Sequence, residues 1–469
     1  MRVLGPARRS RRRVHVSVLT SVMVAMSLVL VGPAAAQQLA VDEISHSKNF
    51  ELVANIPRQG PLTDDFHSDM AFWGDYLFQG SYGGITIYDI SRPQRPRTIT
   101  QIDCTGSQGD VTVSPDGRLL FMSVDSPRTN DTCASGSSSA AEPTAWEGIR
   151  IFDITDKANP VYIKAVRTDC GSHTHTLVPG DADTVYLYVS SYSPSTRFPH
   201  CQPPHDSISI VEVPLDKPTT ASVVNEPLLF PDITGANQTS GCHDITVFPA
   251  GKLAAGACMG DGVLLDISDP VNPRRLSGVR DPNFAFWHSA TLINGGKGVI
   301  FTDELGGGGA PTCNATIGPT RGADAIYDIV GEGDNRHLVF RGYFKIPRFQ
   351  QATENCVAHN GMLLPVKGRD VYVQSWYQGG VSVWDFTDRE NAREIAFFER
   401  GPLSATSLMI GGSWSAYWYN GYVYSSDIIK GLDVLKITGL DGVSSANFNK
   451  LPYLNPQTQD NYKDTGNRG

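Results

Sequence analysis

The apolar positions of residues 241–280 fall into four short runs separated by turn-forming sequences. The runs are 244–248, 253–258, 262–267 and 274–279, and the breaks between them are Pro-Ala-Gly, Gly-Asp-Gly and Asp-Pro-Val-Asn-Pro. Because Pro and Gly interrupt a strand ladder, each break predicts a turn between antiparallel strands. Four strands in about forty residues is the size of one β-propeller blade.

The third run of this unit recurs along the chain with the pattern Gly-x-x-[Val/Ile]-[Phe/Tyr/Trp]-Asp-[Ile/Phe]-[Ser/Thr]. Runs that match the second strand precede each copy. This repetition predicts an all-β fold, a seven-bladed β-propeller of four-stranded antiparallel blades. The alternative is a β-sandwich, which the matched spacing of the units disfavours. The seven copies of the third strand are 84–90, 148–154, 207–213, 262–267, 323–330, 380–386 and 431–437.

The seventh unit ends without a fourth strand, because the sequence after residue 439 is polar. An apolar run at 50–56, FELVANI, lies before the first unit and has no blade of its own. We therefore predict that this N-terminal strand completes the last blade and closes the ring, which protects its edges. The predicted domains are a propeller over 37–439 and a loose polar tail over 440–469.

The repeat, followed in four copies by a break that ends in Pro or Ala, resembles that of the LVIVD-repeat family of exported propeller proteins. The resemblance covers essentially the whole chain after residue 36. It implies the propeller architecture and export. It leaves the activity open, since a fold does not determine the chemistry of a site.

Residues 1–36 have the features of a secretory signal peptide rather than a membrane anchor. An arginine-rich start precedes an apolar run at 16–31 and the small residues Ala34, Ala35 and Ala36. Removal of the six arginines in this segment takes the formal net charge from −9 to −15. Such a surface disfavours nucleic acid and anionic membranes as partners. We expect a secreted protein, extracellular or in the periplasm or cell envelope, with no membrane span after removal of the signal.

The eight cysteines all follow the signal segment, and an oxidising compartment favours their pairing. Four of them lie where one blade connects to the next, and four follow second strands. These two kinds of connection emerge at the same end of a blade. The alternative is a metal centre that uses Cys242 with His243. The predicted disulfides are Cys104–Cys133, Cys170–Cys201, Cys242–Cys258 and Cys313–Cys356.

Six of the ten histidines after the signal segment align at the starts of first strands. First strands line the central channel of a propeller, so these side chains are expected around the channel mouth. Imidazole is the commonest ligand for transition metals, and three histidines suit a catalytic metal. We assign His243, His288 and His359 as the metal ligands, with copper or zinc preferred. The candidate acid, base or supporting groups are His67, His173, His175 and Asp303.

Strand alternation leaves two registers open, since neighbouring side chains point to opposite faces. One register turns His243, His288 and His359 inward. The other turns inward Asp69, Asp110, His175 and Asp244, with His67 and His173 on the same side. A bulge or a coil entry to the strand would remove the distinction. A purely structural role, in which these side chains bond the backbone of neighbouring blades, is the alternative to a metal site.

Two functions of different classes follow from these features. The first is an exported propeller with a transition-metal site at the channel mouth, and any enzyme activity would be metal-dependent and directed at a small molecule. The second is a non-catalytic binding module whose disulfide-stapled loops hold a protein or a glycan. In both, the ligand binds at the face that carries the long loops.

Overall fold

The computed structural model describes residues 38–181, 183–230, 239–441, 443 and 450–459. The predicted signal peptide lies outside these residues. In the described part there is no α-helix, only four short 3-10 turns at Gly60–Leu62, Pro218–Thr220, Pro249–Gly251 and Gly333–Asn335. The strands, in chain order, are β1 (Ile44–His46), β2 (Phe50–Ile56), β3 (His67–Trp73), β4 (Tyr76–Ser81), β5 (Gly84–Asp89), β6 (Arg97–Asp103), β7 (Val111–Val113), β8 (Leu119–Arg128), β9 (Trp146–Asp153), β10 (Val161–Arg167), β11 (Thr174–Pro179), β12 (Thr184–Ser190), β13 (Ser209–Pro214), β14 (Ser222–Asn225), β15 (Asp244–Phe248), β16 (Leu253–Cys258), β17 (Asp261–Asp266), β18 (Arg274–Val279), β19 (Trp287–Ile293), β20 (Gly298–Asp303), β21 (Asp324–Val330), β22 (His337–Phe344), β23 (Gly361–Leu364), β24 (Val371–Ser375), β25 (Val381–Asp385), β26 (Arg393–Arg400), β27 (Ser413–Tyr419), β28 (Tyr422–Asp427), β29 (Gly431–Ile437) and β30 (Tyr453–Leu454).

These strands form seven antiparallel sheets, one for each blade, and confirm the predicted seven-bladed β-propeller. The first six blades use consecutive strands, β3–β6, β7–β10, β11–β14, β15–β18, β19–β22 and β23–β26. The seventh blade takes β27, β28 and β29 from the end of the chain and β2 from its start. Residue Phe50 pairs with Ile437 and Ile56 with Leu432, so the predicted ring closure is confirmed.

In four blades, the aspartate of the repeat explains why the third strand ends where it does. Its side chain accepts a hydrogen bond from the backbone N–H two residues later, a local turn that stops the strand. The side-chain bond from Ser91 lowers the pKa of Asp89 to about 2. The four equivalent bonds are Ser91 to Asp89 (2.9 Å), Thr155 to Asp153 (2.8 Å), Ser268 to Asp266 (2.9 Å) and Thr387 to Asp385 (2.9 Å).

Aromatic side chains fill the space between neighbouring blades. Trp384 on β25 stacks on Phe344 on β22, with ring centroids 4.3 Å apart and an interplanar angle of 10°. Both rings are buried, and such a pair contributes about 1 kcal/mol beyond its buried area. The contact joins the fifth blade to the sixth and helps to fix the relative position of their first strands.

The described part of the C-terminal tail is docked rather than loose, which departs from the sequence expectation. Strand β30 pairs with the end of β3, and residues 455–459 continue across the channel. The side chain of Asn455 bonds both the N–H and the C=O of Val113, each at 2.9 Å. Gln459 does the same with Leu292, at 3.1 and 2.9 Å. Thr458 donates to the carbonyl of Leu177 at 2.6 Å.

The tail closes the end of the channel opposite the histidines. Its partners Val113, Leu177 and Leu292 lie toward the ends of first strands, whereas the histidines lie at the starts. Val247, on the first strand of the fourth blade, exchanges two backbone hydrogen bonds of 2.8 Å with Gln457 and Gln459. Five first strands are therefore tied together by one polar segment.

All four predicted disulfides are present, Cys104–Cys133, Cys170–Cys201, Cys242–Cys258 and Cys313–Cys356. They confirm that the long loops after second strands are anchored beside the connections between blades. Four disulfides are consistent with an extracellular protein. Across the described ranges, no helix has the length and apolarity needed to cross a membrane. A strand, β1, that the sequence analysis did not predict pairs with the outer edge of the sixth blade.

Candidate metal centre

Four histidines from four consecutive blades meet at the channel mouth. His173 precedes β11, His243 precedes β15, His288 lies in β19 and His359 precedes β23. Three of them stand before their strand begins, and the pairing of β19 with β20 shifts register between Trp287 and Ala290. Strand alternation therefore does not apply to these side chains. For this reason each predicted register is correct in part: His243, His288 and His359 face the channel mouth as in the first, and His173 does so as in the second.

The imidazole rings contact one another in sequence, and we call these four residues the histidine cluster. The ring centroids are 4.3 Å apart for His173 and His243, 4.1 Å for His243 and His288, and 4.2 Å for His288 and His359. All four side chains are buried. The three predicted ligands are thus brought together, and His173 joins them.

The Nδ1 atoms of His173, His243 and His359 point outward to carboxylate or carbonyl oxygens of the protein, whereas Nδ1 of His288 lies 3.4 Å from the hydroxyl of Thr302. Carbonyl and carboxylate oxygens only accept hydrogen bonds, so an Nδ1 that faces one must carry the proton. This fixes the tautomer and leaves the lone pair on Nε2, as in metal-binding histidines. The contacts are His173 to Asp125 Oδ2 (2.6 Å), His243 to the carbonyl of His288 (2.8 Å) and His359 to the carbonyl of Trp414.

The Nε2 atoms converge with one carboxylate. His173 Nε2 and His243 Nε2 are 2.8 Å apart. The Glu304 oxygens lie 3.9 Å from His288 Nε2 and 3.7 Å from His359 Nε2. Ligand atoms of His243, His288 and Glu304 all lie within 4.8 Å of one another. This set of nitrogen and oxygen donors is what zinc and copper sites use.

Burial determines the protonation of the cluster. It lowers the pKa of His243 and of His288 well below 6.5, assisted by the neighbouring imidazoles. It lowers the pKa of His359 to about 3 and raises that of Glu304 to about 7. These three imidazoles are neutral at physiological pH because the interior disfavours their charged forms. In His243 and His359, whose Nδ1 protons face carbonyls, Nε2 is therefore an acceptor, in the form that binds a metal.

Two tyrosines hold the site in place. Tyr377 donates its hydroxyl to Glu304 Oε1 at 2.5 Å and packs against His359. The ring of Tyr192 lies nearly parallel to that of His243, with centroids 5.5 Å apart. Since burial and the Glu304 charge raise the pKa of Tyr377 well above 10, it remains a donor that orients the carboxylate.

Four of these groups were not predicted from the sequence: Asp125, Tyr192, Glu304 and Tyr377. Asp125 lies within β8, three residues before its end, and the other three follow the ends of β12, β20 and β24 by one or two residues. The second strand pairs with the first, so its end lies beside the start of the first strand. An alignment of second-strand ends, like that of first-strand starts, would have exposed this outer set.

Two of the predicted supporting histidines lie elsewhere. His175 bonds Ser123 Oγ through Nδ1 and Thr112 Oγ1 through Nε2, each at 2.8 Å, so both nitrogens are occupied by the protein. His67 is buried with neither ring nitrogen hydrogen-bonded, and no ring contact joins it to the histidine cluster within the described chain. The structure brings neither residue to the candidate metal centre.

Asp303 also has a different place from the one expected. Its Oδ1 accepts the N–H groups of Ala285 and Phe286 at 2.9 Å each, and its Oδ2 accepts that of Gly322 at 2.7 Å. Its oxygens therefore organise the loops of the fifth blade. The neighbouring residue, Glu304, supplies the carboxylate of the site.

A layer of carboxylates lies next to the cluster in the channel. Burial, with the charge of Asp110, raises the pKa of Asp69 to about 7 and that of Asp244 well above 3.8. Gln457 of the tail donates to Asp69 at 3.1 Å. The polar channel thus has imidazoles at its mouth and acids further in, as the second predicted register required of the aspartates.

A second group with metal-ligand chemistry, Asp169, Cys170 and His205, is not a metal site. Its atoms are close together, but Cys170 is bonded to Cys201 and has no thiolate. His205 bonds Asp169 at 2.9 Å and Ser191 Oγ at 3.0 Å, so its nitrogens have protein partners. These contacts close the loop after β12.

A cavity of about 300 Å³ opens beside the histidine cluster at His173. It lies between the disulfide-anchored loops of the second and third blades. Burial, together with the charge of Asp125, raises the pKa of Glu147 on its wall to about 7. The lining residues are Asp125, Pro127, Ala140, Ala145, Glu147, Cys170, His173, Ser191, Tyr192, Ser193, Phe198, His200 and Cys201.

Comparison with known proteins found no match from which a family or an activity follows. No family model and no curated protein matches this chain, so the resemblance to LVIVD-repeat proteins stays a prediction. Three solved structures are similar in fold: a functionally unknown protein from Desulfotomaculum acetoxidans DSM 771 (11% identity, 73% of this chain and 88% of that one, TM-score 0.47), Kuenenia stuttgartiensis hydrazine synthase (13%, 78% and 93%, 0.48) and the N-terminal domain of Nup159 (9%, 86% and 98%, 0.46). At this level of similarity they carry no argument about function. The chain is a seven-bladed β-propeller with residues that can bind a metal.

Proposed function

We propose that this protein is an exported metalloprotein that binds one transition-metal ion in the histidine cluster. The ligands are the Nε2 atoms of His243, His288 and His359 with the carboxylate of Glu304, and His173 lies beside them. Zinc or copper is the metal, since imidazole with one carboxylate suits both. When bound, the ion would supply Lewis-acid or, for copper, redox chemistry to a small molecule in the adjoining cavity.

One observation carries this proposal: Nε2 acceptors converge with a carboxylate in a buried site. The Nδ1 protons of His243 and His359 are held by carbonyls, so neither ring can offer its Nε2 as a donor. Tyr377 is the hydroxyl that satisfies Glu304. Imidazole lone pairs and a carboxylate that face one another repel. A cation at the centre would be attracted to all of them.

A proton is the competing cation. A doubly protonated His173 would pair with Asp125 and donate Nε2–H to His243, which accounts for their 2.8 Å contact. It would leave the Nε2 atoms of His288 and His359 facing Glu304, whose hydrogen bond comes from Tyr377. A metal ion can bind all of these groups at once. Two nitrogens that each lie about 2.0–2.1 Å from one ion are roughly 3.3 Å apart, which falls between the 2.8 Å and 3.9 Å separations in the cluster.

Elemental analysis of untagged protein tests the proposal. We expect about one zinc or copper ion per chain after saturation and dialysis, and loss of that ion in the His243→Ala, His288→Ala double variant. His337→Gln is the matched control, since His337 is exposed on β22, the outer strand of the fifth blade. A parent protein that retains neither zinc nor copper after dialysis contradicts the proposal.

Export and membership in the LVIVD-repeat family remain proposals with separate support. The signal-like segment at 1–36 and the four disulfides favour an oxidising compartment outside the cytosol. Cleavage after Ala36, read by mass spectrometry of the N-terminus of the mature protein, tests export. An uncleaved N-terminus in the native host contradicts it.

A further inference from the structure

The cavity beside His173 has walls of one charge sign. Two carboxylates, Asp125 and Glu147, face it, and its lining contains neither Lys nor Arg. Asp125 gives one oxygen to His173, at 2.6 Å, and its other oxygen is buried without a hydrogen-bond partner. Two cations lie outside the lining: Arg167 donates to the carbonyl of Ala145 and acts to lower the pKa of Glu147, and Arg197 lies 6.0 Å from the ring centroid of Phe198.

The remaining walls combine apolar and aromatic side chains with two serines and two histidines. Tyr192 and Phe198 lie on the cavity, and the two disulfide-bonded cysteines Cys170 and Cys201 close one side of it. Aromatic faces attract organic cations, because the ring carries negative potential on its face. A volume of about 300 Å³ is at the small end of ligand pockets and fits a compact molecule.

We propose that this cavity binds a small organic ammonium ion. The cationic nitrogen lies between Asp125 and Glu147, and its apolar substituent packs against Tyr192 and Phe198. A carboxylate or phosphate ligand would meet two acidic side chains and neither Lys nor Arg in the lining, whereas an ammonium ion would favour the charged form of Glu147. A neutral ligand would leave the buried Asp125 oxygen without a charged partner, which costs more than leaving a neutral group unpaired.

The position of the cavity gives this ligand a role. His173 lies both on the cavity wall and in ring contact with His243 at 4.3 Å. A molecule held by its ammonium group at Asp125 and Glu147 would extend toward the candidate metal centre. Binding of the ammonium ion rests on the cavity alone; its role as substrate rests on the proposed metal site.

Three probes of nearly equal size and different charge test the proposal: benzylammonium, benzyl alcohol and benzoate. Each is titrated calorimetrically at pH 7 into the full chain, as purified and after chelation. We expect benzylammonium to bind at least tenfold more tightly than benzyl alcohol and benzoate not to bind. Glu147→Gln should weaken benzylammonium about tenfold. Glu142→Gln should leave the benzylammonium affinity unchanged. Glu142 is exposed, lies in the loop before β9 and does not line the cavity.

The controls separate this proposal from the metal site. Asp125→Asn provides a second variant if Glu147→Gln melts at a lower temperature than the parent. Benzylammonium binding that persists in the His243→Ala, His288→Ala variant supports the cavity even if no metal is found. Equal affinity for benzylammonium and benzyl alcohol, no binding of any probe at millimolar concentration, or full affinity in both carboxylate variants overturns the proposal.

Discussion

The Nε2 atoms of His173 and His243 face each other at 2.8 Å although both rings have their Nδ1 turned to an acceptor. Two lone pairs at that distance repel, so the pair needs a positive charge between or upon the rings. The same demand extends through His288 and His359 to Glu304. A bound metal ion and a bound proton differ in their effects on stability and on the roles of Glu304 and Tyr377.

Metal should stabilise the folded protein, because the cluster exists only when four blades are assembled. Zinc or copper at one hundred times its dissociation constant raises the free energy of unfolding by about 2.7 kcal/mol. Thermal or urea unfolding with and without metal measures this gain. His243→Gln should show none of it and His337→Gln all of it. Equal stabilisation of both variants would place the metal elsewhere.

Glu304 and Tyr377 should contribute to metal affinity in that order. Glu304→Gln removes a ligand charge and should weaken binding about 100-fold, whereas Tyr377→Phe removes only the hydroxyl that orients the carboxylate and should weaken it about tenfold. Competition with a chelator of known affinity measures both. Tyr162→Phe, whose hydroxyl bonds a carbonyl at 3.2 Å on an outer strand, is the control. A larger effect of Tyr377→Phe than of Glu304→Gln contradicts this order.

His67 should make the protein less stable in mild acid. Burial lowers its pKa from 6.5 to about 4, so the unfolded chain binds a proton in this range that the folded protein refuses. Stability is therefore lost as the pH falls from 6.5 toward 4, by about 3 kcal/mol in total. His67→Phe keeps a ring without the titration, and its unfolding free energy should fall less over this range. Parallel pH profiles of the two proteins would refute the assignment.

The docked tail should contribute strongly to stability. A chain that ends at Leu451 loses the side-chain bonds of Asn455, Thr458 and Gln459 to three blades, each worth about 1 kcal/mol. We expect a loss of about 3 kcal/mol or more in urea unfolding. A chain that ends at Gln459 keeps these contacts and is the control. Equal stability of the two truncated chains would show that the tail does not hold the ring.

Local chemistry explains why the blades were predictable. In four blades, Asp89 and its equivalents end the third strand through a bond to the backbone two residues later, so the motif carries its own turn. The disulfides followed from where each cysteine falls in a blade, since the two kinds of connection meet at one end. The strand 50–56 was predictable because an apolar run without a blade has only one vacant edge to fill.

The rest depends on contacts between distant segments. Glu304 stands next to Asp303, and only the fold shows that Asp303 binds backbone amides while Glu304 faces His288. His173 joins the cluster because it precedes β11, and the alternation of side chains along a strand does not fix the direction of residues outside it. The tail has the composition of a loose segment, yet Asn455 and Gln459 match free backbone groups at the channel end. No pattern within the tail announces those partners.

Anomalous diffraction from crystals of the untagged, metal-saturated protein tests directly whether a metal ion occupies the histidine cluster. Data collected above and below the zinc or copper edge locate the ion. We expect one peak about 2.0–2.1 Å from the Nε2 atoms of His243 and His288, with a Glu304 oxygen as a further ligand. Absence of a peak there, with the His173–His243 contact kept at hydrogen-bond distance, would show that a proton and not a metal holds the cluster together.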